Sequence, residues 1–263
     1  MRRLTVLGTC GAWPEAGRAA SGFLLEYDGF RVVLDLGYAT LPRLLEHCPG
    51  GRVDAVVITH EHPDHCADLS ALCRVRYFAP ERGARVPLYC PPGVLGRVQA
   101  MEPTEDLRDV FDVHPLHPLP AAHPVGPLRL DALALPHHVP HAGVRLSAPG
   151  LVLAYSGDAG PDPALAELAA DADLFIAGAT LQGTGAGDGC GSGSGSGSGS
   201  GDHQLMSAAE AGAWAARAGA RHLLLTHFWP GDDRTRSVAE ARGAFPGGVS
   251  AAEEGMVLDL TAR

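Results

Sequence analysis

Residues 59–66 read THEHPDHC and place His60, His62, Asp64 and His65 within eight positions. Neutral imidazole is the commonest protein ligand for zinc and its neighbours. Alternate residues of an extended segment project to the same side, so His60 and His62 can grip one ion. Pro63 suits the first turn of a helix, which would turn Asp64 and His65 toward a second. The apolar run that leads into this cluster, VDAVVITH (53–60), reads as a buried strand that ends on His60. The run after it, CADLSALCRVRYF (66–78), resumes helical spacing with Leu69, Leu72 and Val75 on one side. A strand, a ligand-bearing loop and a helix therefore follow one another here.

The same punctuation recurs along the chain. LAYSG is followed by Asp158 and LLLT by His227, just as VVIT is followed by His60. The ends of strands on one edge of a sheet are where α/β proteins gather ligands, because the scaffold is rigid there and the loops vary freely. Elsewhere, GFLLEYDGFRVVLDLG (22–37) reads as a hairpin turning at Asp28-Gly29. VPLYC, LRLDALAL, LFIAGAT and GMVLDL read as strands, and SAAEAGAWAARAGA as an alanine-rich helix. Strands and helices mix throughout, first as antiparallel hairpins and later in alternation, which predicts a layered α/β fold.

Composition narrows the function classes. A formal charge of -10 over 263 residues argues against a nucleic-acid partner, and no apolar run is long enough to cross a membrane. MRRLTVLGTCGAWPE lacks the apolar core of a signal peptide. The six cysteines (10, 48, 66, 73, 90, 190) show no paired spacing. A cytoplasmic protein with free thiols is expected.

HEHPDH (60–65) matches the HxHxDH signature of the metallo-β-lactamase superfamily. With LDLG, HHVPHAG, YSGD and LTH, the chain resembles the phosphodiesterase-like branch that includes ribonuclease Z. The resemblance implies one αββα sandwich domain over residues 1–263, two mixed sheets flanked by helices, with two divalent ions at one edge. Zinc is the first expectation and manganese the second. It assigns His60, His62 and His137 to one ion and Asp64, His65 and His227 to the other, with Asp158 bridging. His138 is the alternative to His137, because the chain reads His137-His138-Val139-Pro140 where the family writes His-x-Val-Pro. Asp35 of LDLG corresponds to an inner carboxylate that orients a ligand histidine. His141 reads as a loop histidine, and His47, His114, His117, His123 and His222 as surface or structural.

Two divalent ions lower the pKa of a water between them and offset charge on the attacked group. The family implies a hydrolase, the YSGD context looks closer to its phosphodiesterase branch, and small or cyclic phosphodiesters are the expected substrates. Only about twenty residues separate His137 from Asp158, too few for the tRNA-gripping arm of ribonuclease Z. A thioester, lactone or ester hydrolase of the same fold is the alternative. A metal-binding sensor or scaffold without catalysis is the alternative from a different class. Asp64 is also expected to serve catalysis, by holding the ion that generates the nucleophile. The family's proton-donating histidine falls on Leu205, ahead of Glu210-Ala211-Gly212, and leaves His203 as the candidate donor. The substrate is expected to be a small molecule, and a homodimer follows from the family's habit.

Residues 187–202, GDGCGSGSGSGSGSGD, read as a flexible coil. Assigned ligands lie on both sides of it, at Asp158 and His227, so it reads as a loop inside one domain, either a tolerated insertion or a flap.

Overall fold

A computed structural model describes residues 1–79, 83–102, 107–117, 119–183 and 204–261. The chain opens with β1 (Arg2–Gly8), β2 (Gly22–Tyr27) and β3 (Phe30–Leu36), followed by α1 (Thr40–His47), β4 (Ala55–Val57), α2 (Pro63–Tyr77), β5 (Val86–Cys90), α3 (Val94–Gln99) and β6 (Phe111–Pro115). The second half runs β7 (Ala121–Val125), β8 (Leu128–Ala134), β9 (Ala142–Ala148), β10 (Leu151–Tyr155), α4 (Ala164–Leu168), β11 (Leu174–Gly178), α5 (Ala208–Ala218), β12 (His222–Thr226), α6 (Arg234–Ala244), β13 (Gly248–Ala251) and β14 (Val257–Asp259). These strands form two seven-stranded sheets, ordered β14-β1-β2-β3-β4-β5-β6 and β13-β12-β11-β10-β9-β8-β7. Both are mixed, with antiparallel hairpins leading into parallel pairs.

Strand alternation explains the layers. Phe23, Leu25, Val32 and Leu34 point inward and meet Leu130, Val144, Leu153, Ile176 and Leu224 of the other sheet. Leu24 and Val33, one residue out of phase, pack outward with α1, α2 and α3. Phe175 and Leu223 do the same with α4, α5 and α6. The result is the αββα sandwich. A fully buried Leu, Ile or Phe contributes about 1.5–3 kcal/mol, against about 1 kcal/mol net for an ordinary hydrogen bond. Packing therefore holds the sheets together, and polar contacts decide geometry at their edge.

β4 is shorter than VDAVVITH implied. It stops at Val57, and His60 sits three residues beyond it. The Thr59 amide leaves the ladder to donate to Asp35 Oδ1 at 2.7 Å. The elements with weak patterns are β7, an edge strand carrying Pro124, and α6, whose sequence RTRSVAEARGA is largely polar. The five cysteines among the described residues are buried and free. Burial raises the Cys66 and Cys90 thiols to about 12, so they are inert thiols. No helix among the described residues is long and apolar enough to cross a membrane. The Gly-Ser run 187–202 and His203 lie outside the described residues.

Where the chain resumes, Ser207 caps α5 by accepting from the Glu210 amide while the Glu210 carboxylate accepts from the Ser207 amide. Gly212 lies where α5 crosses α6, and a Cβ there would come within 2.5 Å of the Ala241 carbonyl oxygen. Glu-Ala-Gly thus has a structural reason in this chain: a cap and a close helix crossing. Gly212→Ala is expected to destabilise the protein by about 1 kcal/mol or more. The overpacking cost of about 1–3 kcal/mol against rigid backbone outweighs a helix-propensity gain of about 1 kcal/mol. A urea midpoint that stays level or rises would contradict this.

Candidate metal centre

Two sheets deliver the site. The first contributes Asp35 at the end of β3, the loop after β4 carrying His60 and His62, and the first turn of α2 carrying Asp64 and His65. The second contributes His137 after β8, Asp158 after β10 and His227 immediately after β12. His227 and Asp35 both adopt the left-handed backbone region, at φ 58° and 55°. Non-glycine residues hold such conformations only where surrounding contacts enforce them.

For Asp35 those contacts are explicit. Its carboxylate accepts from the Thr59 amide and hydroxyl, from the Tyr155 hydroxyl at 2.8 Å and from His65 Nδ1 at 2.7 Å. The Thr59 hydroxyl proton is spent on Asp35, so Thr59 Oγ1 accepts from His60 Nδ1 at 3.0 Å. His137 Nδ1 likewise donates to the Gln204 carbonyl at 3.2 Å. These partners assign the tautomers: in neutral rings, the Nε2 atoms of His60, His65 and His137 are left as bare lone pairs.

Those lone pairs face one another and carboxylates. His62 Nδ1 lies 3.0 Å from His60 Nε2 and 3.0 Å from His137 Nε2. Asp158 Oδ1 lies 3.0 Å from both His65 Nε2 and His227 Nε2, while its Oδ2 is 3.7 Å from His60 Nε2 and 3.9 Å from His137 Nε2. His65 Nε2 and Asp158 Oδ1 are close but not aligned as donor and acceptor, and both are buried without a hydrogen-bond partner. Asp64 Oδ2 completes the second group, 3.3 Å from His227 Nε2 and 3.6 Å from His65 Nε2. Two donor sets result, His60-His62-His137-Asp158 and Asp64-His65-Asp158-His227, sharing one carboxylate. Converging lone pairs of this kind fit divalent cations, with imidazole and carboxylate as their usual ligands.

The two sets differ electrostatically. Burial holds His60 well below the usual imidazole range and His137 at about 4. In the second set burial also disfavours the imidazolium, but Asp158 and its neighbouring carboxylates outweigh it. They raise His227 to about 9 and His65 well above its ordinary value. Asp64 is opposed by burial yet held at about 2 by His65 and His227. A proton on each of these two rings stands where a cation fits.

The structure brings all seven ligand candidates of the sequence together in the two sets. His138 is exposed and outside them. His141 corrects the reading. It does lie in a loop, directly before β9, but it is buried beside His60 and His137, with ring centroids 5.1 and 5.4 Å away. Neither of its nitrogens has a hydrogen-bond partner, and burial holds it near 3, hence neutral. Gly157, at φ 57°, makes room for it, since a Cβ there would meet His141 Nε2 at 2.4 Å. The missed signal was its position directly before β9, whose first amide bonds the Thr59 carbonyl. His114 stacks on Tyr89, and His222 Nε2 lies 3.1 Å from Ser250 Oγ, so both are structural.

Adding zinc to chelator-treated protein at pH 7 is expected to release more than one proton per chain, because both His65 and His227 give up theirs. Calorimetry in buffers of different ionisation enthalpy reads that number directly, and zero release would contradict the assignment. In the metal-free protein the raised His227 pKa stabilises the fold fully below its unfolded value of about 6.5. That contribution is lost as pH rises through about 9.

The sequence profile of the Beta-lactamase superfamily domain matches residues 31–228. An uncharacterized protein of Mycobacterium leprae is 34% identical over 271 residues, covering 99% of this chain and 89% of that protein. A ribonuclease Z of Kineococcus radiotolerans is 29% identical, covering 92% of this chain and 88% of its own. The crystal structure of the metallo-β-lactamase fold protein YhfI from Bacillus subtilis superposes with a TM-score of 0.83 over 98% of each chain at 26% identity. With its matching fold, signature and paired donor sets, the chain belongs to the metallo-β-lactamase superfamily.

Proposed function

We propose that the protein is a two-metal phosphodiesterase acting on small or cyclic phosphodiesters. The observation that carries this reading is Asp158, buried, with one oxygen 3.0 Å from the second donor set's imidazoles and the other facing the first. A carboxylate shared between two donor sets suits a pair of divalent ions, zinc first and manganese second. Such a pair supplies a nucleophile at neutral pH and offsets charge on a phosphoryl group.

The chain's own residues do the positioning. Asp35 fixes the His65 ring through Nδ1, and Thr59 fixes His60 through the same atom, so each presents Nε2. The Ala12 amide donates to Asp64 Oδ2 at 2.7 Å and holds that carboxylate toward His227. Leu205 stands where relatives of this type place a proton-donating histidine. His203 is the proposed donor to the leaving group.

Phosphodiester hydrolysis is supported by the similarity to a ribonuclease Z, and a small substrate by the short link from His137 to Asp158. Elemental analysis of protein prepared without chelator is expected to give two ions per chain, with Asp158→Ala losing at least one. A chromogenic phosphodiester should be cleaved by the wild type, with Asp64→Ala reducing the rate by several orders of magnitude. His203→Ala should lower kcat about 10²–10⁴-fold on a poor leaving group. Efficient turnover of a lactone or thioester with phosphodiesters intact would replace this reading. Full metal content without turnover of any ester would assign a sensor or scaffold.

A further inference from the structure

Exposed aromatic residues follow the backbone segments that touch Asp64 and His227. Trp13 is 52% exposed and Tyr38 38% exposed, while most other large side chains are packed away. Trp13 follows Ala12, whose amide bonds Asp64, and it follows Gly11 by two residues; a Cβ on Gly11 would come within 2.7 Å of the His227 ring. Tyr38 follows Gly37, which packs against the Asp64 carbonyl. Trp229 lies two residues after His227, and its ring centroid is 5.2 Å from that of Trp13, tilted by 45°.

This pair is built, not incidental. The Gly11 amide bonds the Phe228 carbonyl at 2.8 Å, and the Phe228 amide bonds the Thr9 carbonyl at 3.0 Å, stitching the two segments together. The Trp13 amide donates to the Gly11 carbonyl at 2.7 Å. The Trp229 amide donates to Asp232 Oδ2, and the Asp232 amide returns to the Trp229 carbonyl, closing a turn around Pro230. The backbones of both tryptophans are therefore held in place, while about half of the Trp13 side chain stays open to solvent. A large exposed indole costs solubility without adding to the core, and clustered exposed apolar surface marks a binding site.

We propose that Trp13, backed by Trp229, is a stacking platform for a planar base, so that the substrate is a nucleotide-type phosphodiester whose phosphoryl group sits at the donor sets and whose base lies on the indole. This rests on the phosphodiesterase reading for the phosphoryl half, and on the aromatic geometry alone for the base half. Stacking on an aromatic side chain is tolerant of base identity because every base has a π face, so the platform selects a nucleotide over an aliphatic phosphodiester without fixing which base.

Binding to the zinc-loaded full chain tests it. The probes are adenosine 5′-monophosphate, ribose 5-phosphate and adenosine, titrated by calorimetry. The nucleotide is expected to bind about 10-fold or more tightly than ribose 5-phosphate, within the roughly 5- to 150-fold that one stacked base supplies. Trp13→Ala should remove that advantage while leaving ribose 5-phosphate affinity unchanged, and Trp13→Phe should restore part of it. Adenosine and the nucleotide binding equally through Trp13 while ribose 5-phosphate does not bind would uphold the platform and reject the phosphodiesterase reading. Equal or absent binding of all three, or an advantage that survives Trp13→Ala, would overturn the platform. So would a Trp13→Ala protein that turns from dimer to monomer on sedimentation with its base preference intact. Ribose 5-phosphate binding as tightly as the nucleotide would leave the phosphodiesterase reading standing and reject the platform alone.

Discussion

Everything at the sheet edge depends on one buried carboxylate. Asp35 accepts four hydrogen bonds, and each settles something different. The Thr59 amide bond ends β4 early and frees the chain to carry His60 and His62 outward. The Thr59 hydroxyl bond sets the His60 tautomer, and the His65 bond sets that of His65. The Tyr155 bond crosses from one sheet to the other. A carboxylate without partners in such a place would be very costly; with four donors, each about 1.5–3 kcal/mol for a charged acceptor, it becomes an organising centre.

The electrostatic contrast between the two donor sets follows from their composition. The first is rich in imidazole, and its rings are kept neutral by burial and by one another. The second concentrates Asp64 and Asp158 around His65 and His227, so protons are drawn onto those rings. The first set therefore presents lone pairs ready for a cation, whereas the second must first shed protons. Proton competition thus falls unequally on the two positions, with the second weakening first as pH drops.

What was legible in the chain was what is local or periodic. THEHPDHC carries its ligands within one loop and one helical turn, and Asp158 and His227 announce themselves by following apolar strands. The Glu210-Ala211-Gly212 run was visible, but its capping and helix-crossing duties needed α6 alongside. His141 escaped because its neighbours, His60 and Gly157, come from distant segments, and nothing in HVPHAG says that the last imidazole turns inward. The end of β4 was misplaced for a similar reason: Val57-Ile58-Thr59 reads as strand, and only the long-range bond from Asp35 stops it. β7 and α6 escaped because Pro124 interrupts one and polar residues fill the other.

Each donor set draws from both sheets: His60 and His62 with His137 and Asp158, and Asp64 and His65 with Asp158 and His227. A cation held in either set is therefore a staple across the sandwich, tying halves of the chain as far apart in sequence as Asp64 and His227. Ligand affinity and the integrity of the sheet-to-sheet packing become one thermodynamic quantity, because a conformation in which the sheets part by even a few ångströms dismantles both sets at once. A cation in either set would thus add its binding free energy to the packing that already holds the sheets together, and its removal would subtract that increment from the stability of the whole sandwich.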